Sequence, residues 1–293
     1  MPLQLIRPPT AEPLSLAQAK GHLFIVTADD DALVVGLIAA ARAYAQTKTQ
    51  RQIMAARWKL VLDSFPGPSL IGVPYGKPFS LPEHAILLPI ASVLQVVSIS
   101  YTDIGGNPQV MAPGTDYVVD LSCEPVRITP PFGKIWPIPL PQIGAVSVTF
   151  DAGMAAPLTA DAAADTISVP GWKTLAVGDS LRVSNRDVAT PGDGALPAPL
   201  VANKDYFVQA VAGADLYKLS LSAGGAVIDI TSAGTGESFI GDIAAGLRAW
   251  MLLSIGTLYE NRQAVMVDTR ITVAELPLEF IDGLLDSYRM VYY

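Results

Sequence analysis

The sequence predicts an α+β fold in which helices from the two ends of the chain form one unit and a β region lies between them. Two stretches, residues 33–45 and 243–258, repeat apolar side chains every three or four positions, as amphipathic helices do. Between them, apolar and polar residues alternate in short runs from Arg57 onward. The 293 residues include 24 glycines and 24 prolines, which favours many turns between short strands.

Two helices are predicted before the β region. Ser15 and Gln18 have the spacing of a capping box, and a short apolar helix follows to about Phe24. The aspartates at 29–31 offer caps for the second helix and place negative charge at the positive end of its dipole. We do not expect them to bind calcium, because no glycine and distal glutamate follow at the spacing of a calcium loop.

Two groups of strands are predicted in the middle of the chain. They are separated by an Ala/Asp-rich stretch, Met154–Asp165, which has little to bury. The second group, within residues 166–240, has the turn spacing of a small β sandwich or barrel and is near the lower size limit for an independent core. The predicted strands are 57–63, 93–101, 117–121, 126–129 and 145–150 in the first group, and 181–184, 205–210, 217–221 and 226–231 in the second.

Helical periodicity returns from Asp242 and gives a helix with a wide apolar face. A last helix is predicted from Leu276–Pro277, because proline suits the first turn of a helix. Its apolar positions run to Tyr288, shortly before the terminal pair Tyr292–Tyr293.

Composition and motifs exclude several classes of function. With 27 acidic and 19 basic residues the net charge is -8, the wrong sign for a protein that binds nucleic acid by neutralising phosphates. The single cysteine, Cys123, cannot form an intrachain disulfide, which favours synthesis in a reducing cytosol. His22 and His84 have no partner at metal-ligand spacing, and no nucleophile elbow or phosphate loop occurs. We therefore expect no catalytic residues, no metal, no cofactor and no membrane span.

With catalysis and metal binding disfavoured, we expect the aromatic, methionine and arginine residues near the C-terminal end to contact other proteins. Tyrosine, tryptophan, methionine and arginine are enriched at the centres of protein interfaces. The wide apolar face of the helix after Asp242, the residues that follow it and the C-terminal tip are rich in these types. The predicted interface residues are Leu247, Trp250, Met251, Tyr259, Arg262, Tyr288, Arg289, Tyr292 and Tyr293.

The order of these segments resembles the head-to-tail connector (adaptor) proteins of long-tailed bacteriophages and gene transfer agents. The similar segments near the start are Ile6–Lys20, the aspartates at 29–31, the helix 33–47 and the strand Trp58–Phe65. Those in the middle are Leu88–Ile90, Tyr101–Asp103, Gly105–Gly106, Asp116–Asp120, Arg127, Trp136–Pro137 and the run ending at Gly153. Those at the end are 243–258, Tyr259–Arg262, Leu276–Pro277, Leu284–Leu285 and Tyr288–Arg289.

This resemblance implies a structural virion protein at the neck between capsid and tail. Such proteins form a closed ring, commonly of twelve copies, under the portal protein, and offer a platform to the head-closure (stopper) or tail protein. Genomic DNA would pass through the ring without specific binding. Twelve copies would carry a charge of about -96, which would repel phosphate from the channel wall. The C-terminal tip from Arg289 would reach toward the portal, and the protein would be made in the bacterial cytoplasm.

The resemblance also divides the chain. Residues 1–56 would be the N-terminal helices of the connector core, 57–153 its central β region and 242–293 the helices that complete it. Residues 154–241 would be an inserted β module, similar to a small module of other phage structural proteins. Two other interpretations stay open: a different tail-completion or baseplate structural protein, and, ranked below it, a carbohydrate-active enzyme or binding protein that uses a pair of carboxylates.

Overall fold

A computed structural model describes residues 3–67, 84–185, 194–202, 204–260 and 283–291. The helices are α1 (Leu16–Leu23), α2 (Asp31–Thr49) and α3 (Ala245–Glu260). The strands are β1 (Leu3–Arg7), β2 (Ala56–Leu62), β3 (Ile86–Leu87), β4 (Val93–Thr102), β5 (Pro108–Val110), β6 (Val118–Asp120), β7 (Arg127–Thr129), β8 (Val146–Ala152), β9 (Ala155–Asp161), β10 (Thr166–Ser168), β11 (Ser180–Asn185), β12 (Asp205–Gly213), β13 (Leu216–Ser220) and β14 (Ser238–Gly241). The predicted α+β class is confirmed.

The chain divides into two compact units that interleave along the sequence. The first, called here the sheet unit, comprises Met1–Pro8, Ala55–Gly153 and Met290–Tyr293. The second, the helix–barrel unit, comprises Pro9–Met54 and Met154–Arg289. None of the helices in the described residues is long and apolar enough to cross a bilayer.

The sheet unit contains a five-stranded sheet in the order β1-β2-β8-β4-β5 and a three-stranded sheet in the order β3-β7-β6. All of the strand pairs are antiparallel. Alternation along the central strand β8 places Val148 and Phe150 on one face, where both are fully buried. They share a hydrophobic core with Ile86 and Ile128 from the smaller sheet.

The helical part of the other unit starts with the predicted capping box, which is confirmed. The Ser15 hydroxyl accepts a hydrogen bond from the Gln18 backbone N–H at 3.1 Å, and the Gln18 side chain accepts one from the Ser15 N–H at 3.3 Å. Asp30 occupies the N-cap position of α2, but its side chain makes no capping hydrogen bond. The buried stripe of α2 consists of Val34, Ile38, Ala41, Ala45 and Thr49, and its apolar members pack in one core with α1 and α3.

The β part of this unit is a closed six-stranded barrel in the order β10-β13-β12-β11-β14-β9. Two buried tyrosines tie loops to it: the Tyr206 hydroxyl accepts from the Val201 N–H at 2.7 Å, and the Tyr217 hydroxyl accepts from the Leu175 N–H at 3.2 Å. The barrel is continuous with the helical core, because Phe239 of β14 is fully buried in the helical cluster.

Three segments differ from their prediction or lie beyond it. Met154–Asp165 contains β9 because barrel closure buries even small side chains, so Ala155 and Ala156 are fully covered. Residues 226–231 form no strand; an isolated bridge joins Val227 to Ser220. Of the last predicted helix, residues 276–282 lie outside the described residues, and 283–286 are helical.

Candidate interaction surfaces

Three of the predicted interface residues lie in the interior of the helix–barrel unit. Leu247, Trp250 and Met251 are almost completely buried in the helical core. The Trp250 ring stacks on Tyr44 of α2, with the ring centroids 5.4 Å apart. The apolar face of α3 is therefore a core face, and these side chains stabilise the chain's own fold.

Tyr259, near the end of α3, is partly buried against the same core. Its hydroxyl is hydrogen-bonded to the Asp30 carboxylate at the start of α2, and the next aspartate, Asp31, pairs with Lys20 of α1 at 2.5 Å. The acidic start of α2 is thereby joined to both of the other helices. Arg262, which the same prediction included, lies outside the described residues.

Tyr288 and Arg289, the first two residues of the C-terminal tip, are held within the helix–barrel unit. The Tyr288 ring packs against Gly246 of α3, where a Cβ atom would come within 3.0 Å of it, and the Tyr288 carbonyl accepts from Arg51 Nε at 3.1 Å. Arg289 pairs with Asp286 at 3.3 Å. Tyr292 and Tyr293 lie outside the described residues.

A polar row crosses four strands of the larger sheet in the sheet unit. Asp151 on β8 is fully buried, and its carboxylate accepts from Arg57 Nε at 2.7 Å and from the Gln95 side-chain amide at 2.8 Å. Arg7 on β1 lies 3.7 Å from the same carboxylate. The register places Arg57 and Gln95 directly opposite Asp151 on the two neighbouring strands, so pairing of the backbone also pairs the charges. This arrangement satisfies a buried charge and has the character of a structural element.

A second polar cluster surrounds the single cysteine. Arg127 on β7 binds the Asp120 carboxylate and donates to Cys123 Sγ at 3.1 Å. Hydrogen bonds from Ser122 and then from Arg127 hold the pKa of Asp120 well below its usual range. Within the described part of the chain, no group of three or more histidines, cysteines or carboxylates is placed to hold a metal ion.

Among the described residues of the sheet unit, the most exposed apolar side chains lie on a proline-rich loop, residues 130–143, between β7 and β8. Phe132 is fully exposed and Ile135 is 89% exposed; Ile138 and Ile143 are exposed in the same way. Such a cluster of apolar side chains is the type of surface that marks an interaction site. Sequence reasoning missed it because these residues have no helical or strand period.

The loop is fixed to the fold at its centre by Trp136. The Trp136 indole Nε1 donates to the carbonyl of His84 at 2.6 Å, and the ring stacks on Phe65 with the centroids 4.8 Å apart. Leu140 adds a backbone hydrogen bond to Thr102 at 2.8 Å. Five prolines between residues 130 and 141 restrict the backbone further. The apolar side chains are therefore displayed by a pre-ordered loop, which lowers the entropy cost of binding.

A groove of about 450 Å³ runs beside Trp136, and we call it the Trp136 groove. Its walls are apolar, formed by aromatic rings, prolines and isoleucines, and it includes two basic or titratable side chains. The lining residues are Phe65, Pro66, Gly67, His84, Pro130, Lys134, Ile135, Trp136, Pro137, Ile138 and Pro139. Its size is that of a binding site for several side chains.

In the described part of the helix–barrel unit, the most exposed apolar side chains lie at a tip, Phe24–Val26, in the turn between α1 and α2. Phe24 is 91% exposed and Val26 is 95% exposed, whereas Ile25 between them packs on the helical core. Phe24 ends α1 in the left-handed conformation, with φ at 56°, and its backbone N–H donates to the Gly21 carbonyl. Because Ile25 points to the core, the side chains on either side of it, Phe24 and Val26, are left in solvent.

Comparison with known proteins gives a result at the level of structure. No protein-family model and no curated protein matches the sequence. A chain in the virion of a native gene transfer agent particle superimposes with a TM-score of 0.52 at 15% sequence identity, over 100% of this chain and 97% of that chain. A chain in the neck of an empty gene transfer agent particle, computed with C6 symmetry, gives 0.51 and 16% over the same shares. This chain therefore has the fold of a chain found in gene transfer agent virions and necks.

Proposed function

We propose that this protein is a structural component of the neck of a phage-like particle, and specifically a head-to-tail connector that forms a ring under the portal protein. The observation that carries the proposal is the fold shared with gene transfer agent virion and neck chains. The superposition covers 100% of this chain and 97% of each of those chains. The order of segments that resembles the connector family supports it independently, because that resemblance was drawn from the sequence.

The surfaces of the molecule fit an assembly role. A ring requires a heterologous interface, in which one face of a copy meets a different face of the next. The chain displays two distinct apolar features, the 130–143 loop and the Phe24–Val26 tip, and each lies on a different unit. We propose a ring of twelve copies, with the portal on one side and a head-closure or tail protein on the other. Its role is structural, with no turnover of substrate.

The charge of the chain fits passage of DNA without specific binding. The helix–barrel unit holds 20 acidic and 13 basic residues, and the sheet unit holds seven and six. A channel wall built from the helix–barrel unit would repel phosphates by its summed field. Replacing acidic residues of that wall by lysine should slow the exit of DNA; unchanged ejection kinetics would argue against an electrostatic role.

Co-sedimentation with capsids tests the proposed function. The purified chain is mixed with tailless, DNA-filled heads, and in parallel with heads that lack the portal. We expect binding only to portal-bearing heads, at about a dozen copies for each head. Binding to tails or baseplates without any dependence on the portal would overturn the connector assignment in favour of a tail-completion or baseplate protein.

A further inference from the structure

Two apolar features of the molecule, an exposed tip and a groove, lie on different units. The Phe24–Val26 tip is convex, and its two outer side chains have almost no cover within the chain. The Trp136 groove is concave, apolar and large enough for both of them. An apolar protrusion and an apolar pocket elsewhere on the same molecule make a heterologous contact between copies, and such a contact closes into a ring when the rotation allows.

The charges beside the two features are complementary as well. Asp29 is exposed next to the tip, whereas the next two aspartates, Asp30 and Asp31, are bound within the chain to Tyr259 and Lys20. Among the described residues that line the groove none is acidic, and Lys134 supplies a positive charge, although it also lies 3.7 Å from Asp116. An exposed carboxylate beside the tip and a lysine at the groove favour one orientation of the contact over others.

The charge balance of the whole chain also favours contact through the sheet unit. Every copy carries a net charge of -8, so neighbouring copies in a ring repel one another. The helix–barrel unit carries almost all of this excess, since it has 20 acidic residues against 13 basic ones. A contact from this unit onto the nearly neutral sheet unit of the next copy avoids apposition of two acidic surfaces.

We propose that the Phe24–Val26 tip of one copy inserts into the Trp136 groove of the next copy, and that this is the repeating contact of the ring. The occupant of the groove is a second copy of this chain. The inference rests on the proposed connector function, because it is that function which supplies the ring.

Cross-linking between copies tests the contact. A variant with Phe24→Cys and Ile135→Cys is made in a Cys123→Ser background, where serine preserves an acceptor for Arg127. Portal-bearing particles that contain the variant are treated with a short bis-maleimide and separated on a denaturing gel. We expect a ladder of covalent oligomers of this chain. The matched control is Phe24→Cys with Ile143→Cys, because Ile143 is as exposed as Ile135 but does not line the groove; it should give no ladder.

A truncation of the tip gives a second readout. Phe24→Ala removes an exposed side chain, so folding should be unaffected, while the number of copies on each particle should fall about tenfold or more if Phe24 is an interface hot spot. Val177→Ala, at an exposed apolar position on the barrel side of the same unit, is the matched control and should leave the copy number unchanged.

The outcomes separate this inference from the proposed function. If the unaltered chain binds portal-bearing heads but the 24–135 pair gives no ladder, or both pairs give equal ladders, the contact is wrong and the connector function stands. If the thiol introduced by Ile135→Cys cross-links to a different particle protein, or if it is shielded until residues 68–83 of its own chain are deleted, the groove has another occupant and the inference is overturned. If the chain binds no heads at all, both proposals fail.

Discussion

The two units of this chain differ in how many of their large apolar side chains are exposed to solvent. Among the described residues, the sheet unit displays six that are more than 70% exposed: Ile104, Val110, Phe132, Ile135, Ile138 and Ile143. The helix–barrel unit contributes more of the described chain and displays two, Phe24 and Val26. Its other exposed apolar side chains, such as Val177 and Val201, stay below that level, and its largest side chains are buried in the helical core or in the barrel.

The charges follow the same division. The sheet unit is nearly neutral and holds a fully buried carboxylate, Asp151, between its strands, whereas the helix–barrel unit carries the acidic excess and none of its described carboxylates is buried. The contrast is therefore one of exposed apolar side chains in the sheet unit against exposed acidic charge in the helix–barrel unit. Matched substitutions at a buried position of one unit and an exposed position of the other test this contrast.

The largest expected effect comes from a pair of phenylalanines, one from each unit. Phe239→Ala removes a fully buried ring from the helical core and should cost about 3–5 kcal/mol of unfolding free energy. Phe132→Ala removes a fully exposed ring from the sheet unit and should change the stability by less than about 0.5 kcal/mol. Urea denaturation gives the free energies, and hydrogen exchange of α2 and α3 shows where stability is lost.

The contrast between the two units is contradicted if Phe132→Ala lowers the free energy of unfolding as much as Phe239→Ala does, because Phe132 would then be part of a core. We expect Phe132→Ala to differ from the unaltered protein in another way, by lowering self-association at high concentration. Sedimentation velocity at rising concentration measures this effect.

The second effect concerns the buried carboxylate of the sheet unit. Asp151→Ala leaves the Arg57 guanidinium without its buried partner and should cost about 3 kcal/mol. The matched ion pair of the other unit is Arg182–Asp205 on the barrel, where both side chains are more than half exposed. Asp205→Ala should leave the urea midpoint almost unchanged, because an exposed pair is screened by water and salt. Equal losses in the two variants would contradict the distinction between an internal and a surface ion pair.

Sequence periodicity was enough to place the two long helices and most of the longer strands, but not short strands such as β5 and β10. Helices α2 and α3 lie within a few residues of their predicted bounds, because both carry a stripe of apolar residues at helical spacing. The capping box fixed the start of α1 correctly. Strand β9 was missed because an alanine-rich strand shows little contrast between its two faces, and only closure of the barrel buries it.

The candidate surfaces were much harder to predict. Periodicity shows that a helix face is covered but gives no information about what covers it. Trp250 and Met251 were therefore predicted to lie at an interface, whereas in the structure they lie in the helical core, where Trp250 stacks on Tyr44 of α2. The loop at 130–143 has no period, and its exposure depends on the anchoring of Trp136 beneath Phe65 and His84, contacts between residues far apart in the chain. Such contacts exist only once the fold is formed.

The smallest effect is a difference in acid sensitivity between the units. In the sheet unit, Asp120 has a lowered pKa because Ser122 and Arg127 bind its charged form. A group whose pKa is lowered by folding adds stability above its unfolded pKa of about 3.9, and that stability is lost as the pH falls toward the folded value. Asp120→Asn should therefore be less stable than the unaltered protein at pH 7, and the gap should narrow as the pH is lowered toward about 3.

The barrel supplies the control for this measurement. The pKa of Asp205 is also lowered, by Arg182, but water screens this exposed pair, so Asp205→Asn should open a smaller gap at pH 7 than Asp120→Asn does, and only in the barrel. Urea midpoints between pH 3 and pH 7, followed by hydrogen exchange of β6 and β7 on one side and β11 and β12 on the other, resolve the two responses. A gap for Asp120→Asn that stays constant over this range would show that its hydrogen bonds matter for geometry and not for charge. The two units would then differ in the side chains they expose but not in how they use their carboxylates.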